Sequence, residues 1–284
     1  MSSNAPAYFS VAGESEFTPT VMAQSPWSAD TVAGQALAAL VARQLEVNCG
    51  APEFRPARLT VDLLKPIPMK PLTVPTRSVR EGRRIRVADA EVRCDEVTVA
   101  RASCVFLRRS EDTTPAVWSP NRRPDVPPPV IPGDRAGARG PIFGSDGHPT
   151  GWSRDIRQHA GVTRKRMWAN GMSAVRGDEL TPFVAAAIVG EAASFVTNWS
   201  SDGIAFINAD LTIALSRMPE GTAMGIEADN HVSSEGIGVG TATLFDSIGT
   251  FGTCVVTALA NSSHRVTTGG LDAHNAKLVG NSGT

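Results

Sequence analysis

Glu191 is the single carboxylate in the stretch from Pro182 to Asn198, PFVAAAIVGEAASFVTN. A carboxyl group surrounded by Ala, Ile and Val loses hydration, which disfavours its charged form and raises its pKa toward neutrality. Such a group suits a general base that takes a proton from water. The plainer alternative is a glutamate at a wet edge of a helix. Downstream, Asn208 opens a strand-like run, and its side-chain amide can hold a water or donate to an oxygen. A polar residue that merely starts a strand is the alternative. Asp210 reads as a strand anchor. Strict alternation would place Asn208, Asp210 and Thr212 on one face.

Other chemistries find less support. The cysteines (Cys49, Cys94, Cys104, Cys254) and the five histidines lack metal-ligand spacing, and the cysteines form no disulfide framework. No metal and no cofactor is expected. GIGVGT at 236–241 is glycine-rich but lies in a hairpin strand, whereas a phosphate loop joins a strand to a helix. G-x-S-x-G does not occur, so a serine-hydrolase triad has no starting point. Arg80, Arg83, Arg84 and Arg86 cluster at a hairpin, either as a solvated turn or as contacts for phosphates. Arg164, Lys165 and Arg166 are a second such cluster. The net charge of −1 favours neither nucleic acid nor a membrane surface as partner. No apolar run approaches a membrane span, and the first residues do not resemble a secretory signal, so a cytoplasmic location is expected.

The elements that must position these groups occur twice. LTVDLLK at 59–65 returns as LTIALSR at 211–217, 152 residues later. An Glu-Gly pair follows each (81–82, 235–236), then Ser103-Cys104-Val105 and Thr253-Cys254-Val255. Each strand block is preceded by an Ala-rich segment that is apolar nearly all round, 30–46 and 181–199, which reads as a buried helix. Thr181 and Pro182 are start signals for the second. In ADAEVRCD, Ala88, Ala90, Val92 and Cys94 alternate with charged residues, giving a strand with one wet face. AYFSVAG and EFTPT read as early strands, and RMWANGMSAV as a strand of the second copy. The reading divides the chain into an N-terminal domain (1–110), a linker with nine prolines (111–150), a C-terminal domain (151–262) and a flexible Gly/Ser/Asn-rich tail (263–284). Trp118 and Ile131 are candidates to pin the linker.

The stretches GIAFINADLTIALSRMPEG (203–221) and GIGVGTATLFDSIGTFGT (236–253) resemble the C-terminal half of double hot-dog acyl-CoA thioesterases of the thioesterase II type. ADTVAGQALAAL (29–40), ARLTVDLLKPIP (57–68) and VREGRRI (79–85) resemble the N-terminal half. The resemblance implies an α+β fold, a tandem (double) hot-dog with two long central helices wrapped by a continuous antiparallel sheet. It also implies hydrolysis of acyl-CoA thioesters, no cofactor, and assembly as a homodimer or higher homo-oligomer. The family's helix acid falls on Glu191, its strand-opening Thr or Asn on Asn208, and its last-strand Gln on Thr257. Carbonyl polarisation would come from backbone amide at a helix start. Phe183, Phe195 and Trp199 would line the acyl tunnel, and Arg80 and Arg83 would meet CoA phosphates. The first copy has Ala39 where the second has Glu191. Glu for Asp and Thr for Gln are departures. They either compensate one another or mark a non-catalytic acyl-CoA or lipid-binding protein. A carrier-protein-directed thioesterase is a third reading. Hot-dog hydratases resemble another pattern, an Asp with a His five residues later, which this chain lacks.

Overall fold

In the computed structural model, residues 5–11, 15–113, 117–118, 124–131, 134 and 140–281 are described. The first half contains β1 (Ala7–Val11), β2 (Glu16–Pro19), helix α1 (Gly34–Cys49), β3 (Phe54–Leu63), β4 (Leu72–Thr73), β5 (Thr76–Glu81), β6 (Ile85–Cys94) and β7 (Val97–Arg108). The second contains β8 (Ile142–Ser145), β9 (Trp152–Ser153), β10 (Lys165–Asn170), β11 (Ser173–Val175), helices α2 (Pro182–Glu191) and α3 (Ala193–Asn198), and the short pair β12 (Trp199–Ser200) and β13 (Gly203–Ile204). There follow β14 (Phe206–Asn208), β15 (Asp210–Leu215), β16 (Ala223–Ser234), β17 (Ile237–Asp246), β18 (Gly249–Ala260) and helix α4 (Thr268–Asn281).

The repeated heptapeptides are the central strands of one sheet. β3 and β15 pair antiparallel with Thr60 opposite Thr212, and the two hydroxyl oxygens lie 3.0 Å apart. A pseudo-two-fold axis therefore passes between them, and β7–β6 on one side answers β18–β17 on the other. The alternating positions behave as one dry and one wet face: Ala88, Ala90, Val92 and Cys94 are buried. Both central helices lie against the dry face. α1 buries Ala36 to Ala42 without a break, because small alanines let it approach both the sheet and α2.

At its far ends the sheet nearly meets itself. β10 pairs with β16 at one end, while β11, three residues further along the chain, pairs with β1 at the other. The β1–β11 pair is parallel, so the expected all-antiparallel sheet has one exception.

Three other expectations need correction. The helix foreseen over 181–199 breaks at Ala192, whose amide donates back to Val189 O at 3.1 Å. Side-chain bonds hold the bend: Ser194 Oγ donates to Glu191 O (3.0 Å), Thr197 Oγ1 to Ala193 O (2.7 Å) and Asn198 Nδ2 to Ser194 O (2.8 Å). Such local bonds compete with the helical ladder and bend it. The assigned linker contains β8, which joins the sheet beside β10, and Ile131, which is buried with Trp152 and Phe245. Trp118 is 86% exposed and pins nothing. The segment assigned to a flexible tail forms α4, because Leu271 and Leu278 give it an apolar anchor on the core. Among the described residues no helix is long and apolar enough to cross a membrane.

Gly203 holds the start of this last segment. Its φ of +107° suits glycine, and a Cβ there would lie 2.1 Å from Val266 O. Val266 exchanges two backbone hydrogen bonds with Ile204, at 2.9 and 3.0 Å. Gly203→Ala is expected to destabilise the protein by about 1–3 kcal/mol and to release α4. Hydrogen exchange should show lost amide protection at Ile204, at Val266 and along 268–281, with β3 and β15 unchanged.

Candidate active site

Glu191 is the last residue of α2, at the bend, and its carboxyl group is enclosed. Asn208 Nδ2 donates to Glu191 Oε1 at 3.4 Å, and Ser194 Oγ approaches the same oxygen at 3.5 Å. The third neighbour belongs to the other half. A Cβ on Gly34, the first residue of α1, would lie 2.1 Å from Glu191 Oε1. Glycine is thus required there for the acid to reach the helix start. No side chain caps α1, so its first-turn amides remain donors directed at this place. Burial pushes Glu191 up to about 8, with the hydrogen bonds from Asn208 and Ser194 opposing the rise.

The acid opens onto a cavity of about 1240 Å³. Its wall draws on both halves: Tyr8, Trp27, Gly34, Gln35 and Leu37 from the first, Phe143, Ile188, Phe195, Phe206 and Asn208 from the second. The seam residues Asn170 to Ser173 and the α4 residues Leu271, His274 and Leu278 complete it. Lys65 supplies positive charge at the wall, while Arg154 there is paired with Asp134 at 2.6 Å. Among the described residues no group of His, Cys, Asp and Glu could hold a metal ion.

The anticipated residues divide. Glu191 and Asn208 meet, and Phe195 lines the cavity. Trp199 stands behind Phe195, stacked at 4.7 Å between ring centroids. Phe183 is 1% exposed and packs in the core rather than on the wall. Arg80 and Arg83 are exposed at the β5–β6 hairpin and do not line the cavity, and nearby Arg86 lies over the Phe54 ring at 4.3 Å.

Thr257 does not face Glu191. Asn208 pairs with Ala258, yet Thr212 pairs with Val255, so one strand advances four residues while the other advances three. The extra residue, a bulge, turns Asp210 and Thr212 to the face opposite Asn208. On β18, Cys254, Val256 and Ala258 are buried toward the helices, and Thr257 points away between the more exposed Val255 and Leu259. Its amide donates to Asp210 Oδ1 at 2.7 Å, which makes Asp210 a strand anchor. The position across from Asn208 is Ala258, without a polar group.

The pseudo-equivalent place, where the start of α2 meets α1, is filled. Thr181 caps α2 by accepting from Val184 N (3.2 Å) and donates to Glu46 Oε2 at 2.6 Å. Arg43 and Asp178 form an ion pair at 2.7 Å beside it. Ala39 lies fully in the core.

Stability should report the enclosed acid. Its folded pKa of about 8 exceeds the ordinary 4.5, so the native state holds the proton more tightly than the unfolded chain. The associated stability is present below the ordinary value and is lost as pH rises through about 8. Relative to Glu191→Gln, the wild type should lose on the order of 1 kcal/mol per pH unit across that window. Urea denaturation at a series of pH values checks this, and parallel curves would refute it.

Comparison with known proteins gives a consistent picture. Residues 23–107 match the family described as acyl-CoA thioesterase N-terminal domain, and residues 124–260 match acyl-CoA thioesterase C-terminal domain. No curated protein matches the chain. Among solved structures, a protein described as a thioesterase II from Thermobifida fusca YX is 16% identical, with a TM-score of 0.65 over 89% of this chain and 94% of that one. The tesB protein of Mycobacterium avium subs paratuberculosis is 15% identical (TM-score 0.60, 89% and 95% covered). Acyl-CoA thioesterase II TesB2 of Mycobacterium marinum is 11% identical (TM-score 0.59, 89% and 94%). At these identities the structures speak for the fold alone, a tandem hot-dog. With both domain descriptions matched in order along the chain, this protein belongs to the acyl-CoA thioesterase family of thioesterase II-like double hot-dog proteins.

Proposed function

We propose that this protein hydrolyses acyl-CoA thioesters with Glu191 as the general base. The observation that carries the reading is the meeting of three things at one cavity: an enclosed carboxyl, the Asn208 amide and the uncapped start of α1. A water held between Glu191 and Asn208 attacks the thioester carbon and gives its proton to Glu191. The carbonyl oxygen gains charge beside the first turn of α1, where amide donors and the helix dipole favour it. The carbon–sulfur bond then breaks, and the departing thiolate takes the proton back from Glu191. No cofactor enters these steps.

The cavity exceeds the ~300–1,000 Å³ of an ordinary small-molecule pocket, which suits an acyl chain together with a pantetheine arm. Lys65, exposed at the wall, is the candidate for CoA phosphate in place of Arg80 and Arg83. The proposed location is cytoplasmic, and the proposed assembly is a homo-oligomer.

A second reading has one observation in its favour. Ala258 stands across from Asn208 and offers no second polar contact to a water. A protein that binds acyl-CoA without turning it over would tolerate this. Ala258→Gln separates the two readings, since a gain in hydrolysis from a silent wild type would identify a degenerate enzyme.

Thiol release from straight-chain acyl-CoAs of increasing length tests the proposal. Glu191→Ala is expected to lower kcat by about 10²- to 10⁴-fold, the usual contribution of a general base. Turnover that survives the substitution would remove Glu191 from the mechanism. Because the base acts ionised, kcat should rise with pH and level off above about 8. Asn208→Ala removes a hydrogen bond that lowers the Glu191 pKa, so this rise should move to higher pH as kcat falls.

A further inference from the structure

Tyr8 is the single tyrosine of the chain. It lies on β1, in the first half, and is only 8% exposed. Its strand is held on both edges: Ala7 and Phe9 pair with Ser173 and Val175 of β11, and Phe9 to Val11 pair with β2. Tyr8 O also accepts from Thr20 N at 2.8 Å, and Thr20 Oγ1 donates to Ala7 O at 2.6 Å. The ring therefore stands on a fixed backbone, between Ala7 and Phe9, which are themselves in the core.

Tyr8 lines the cavity that Glu191 and Asn208 line, and among the described residues its hydroxyl makes no hydrogen bond. A buried phenol ordinarily finds a partner. A donor left open toward a cavity is a donor reserved for what fills the cavity. Burial, and then the Glu191 charge, raise the phenol's pKa, so it keeps its proton throughout the working pH range. A protonated, unpartnered donor on the cavity that holds the base is suited to an oxygen that becomes negative during the reaction.

From this placement we infer that Tyr8 is a catalytic residue, the side-chain donor that hydrogen-bonds the reacting thioester's carbonyl oxygen from the wall of the cavity it shares with Glu191. This rests on the hydrolase reading above. As water adds to the carbonyl carbon and Glu191 takes its proton, the carbonyl π pair moves onto oxygen. The Tyr8 O–H and the first amides of α1 hold that oxygen from two directions. When the pair returns, the carbon–sulfur bond breaks and the thiolate leaves. Tyr8 keeps its proton throughout, so no proton is gained or lost at the phenol.

Tyr8→Phe removes the hydroxyl and keeps the ring. The expected result is a fall in kcat of about 10²-fold, in the range known for single oxyanion donors. KM should stay within about threefold, and the rise of kcat toward pH 8 should keep its midpoint, because that midpoint belongs to Glu191. A kcat within twofold of wild type would overturn the inference. A second measurement does not depend on turnover. In Glu191→Gln, which halts hydrolysis, the infrared band of the carbon-13-labelled carbonyl of the tightest-binding acyl-CoA should lie lower than in Glu191→Gln/Tyr8→Phe. Equal band positions would overturn the assignment even if Tyr8→Phe is inactive through misfolding. Survival of activity in Glu191→Gln would sink the base assignment alone, and the wild-type and Tyr8→Phe rates would then decide Tyr8.

Discussion

The pairing of β3 with β15 sets the rest of the molecule. Thr60 and Thr212 face each other across it, so two half-sheets become one surface with an internal two-fold. A sheet joined in this way carries its two buried helices side by side, and the start of each lies against the body of the other. The chemistry proposed here needs that adjacency. Glu191 ends α2 and Gly34 begins α1, and neither half alone brings an acid to an uncapped helix start.

The two related places then diverge through a few residues. At one, glycine leaves room for a carboxyl and no side chain caps α1. At the other, Thr181 caps α2 and Glu46 binds the cap, with the Arg43–Asp178 pair closing the flank. The same helix-start electrostatics serve both, for the proposed substrate oxygen in one and for an internal hydrogen bond in the other. The duplicated chain permits this, because symmetry-related positions carry different residues. A dimer of identical chains would have to make both places alike.

Much of this was legible in the sequence, and the failures have local causes. The repeat was legible because β3 and β15 face the same environments and so keep the same alternation. Glu191 stood out because burial acts on composition, and a lone acid in PFVAAAIVGEAASFVTN is visible without a structure. Asn208, Asp210 and Thr212 do not share one face because one extra residue near Ala209 inverts the alternation, and a bulge leaves little trace in composition; Thr257 rests on resemblance alone, and its place on β18 turns it from Glu191. The bend at Ala192 had a trace, the Ser194, Thr197 and Asn198 side chains, whose bonds to backbone outweigh a straight helix. α4 was missed because Gly and Asn argue for a loop, and only tertiary contact by Leu271 overrides them. Tyr8 could not be linked to Glu191 at all, since nothing local connects residues so distant along the chain.

The parallel pairing of β1 with β11 joins Ala7 to Ser173. During vectorial synthesis the first half emerges well before β11 exists. β1 and β2 can form, but the outer edge of β1 has no neighbour until the chain has passed residue 175. An unpaired apolar edge is a template for pairing with other chains. A contact spanning so much of the sequence also closes slowly. The strand that carries Tyr8 is therefore made long before it is locked. The Pro-rich segment between the halves then lengthens the interval in which a nascent first half stands open to wrong partners.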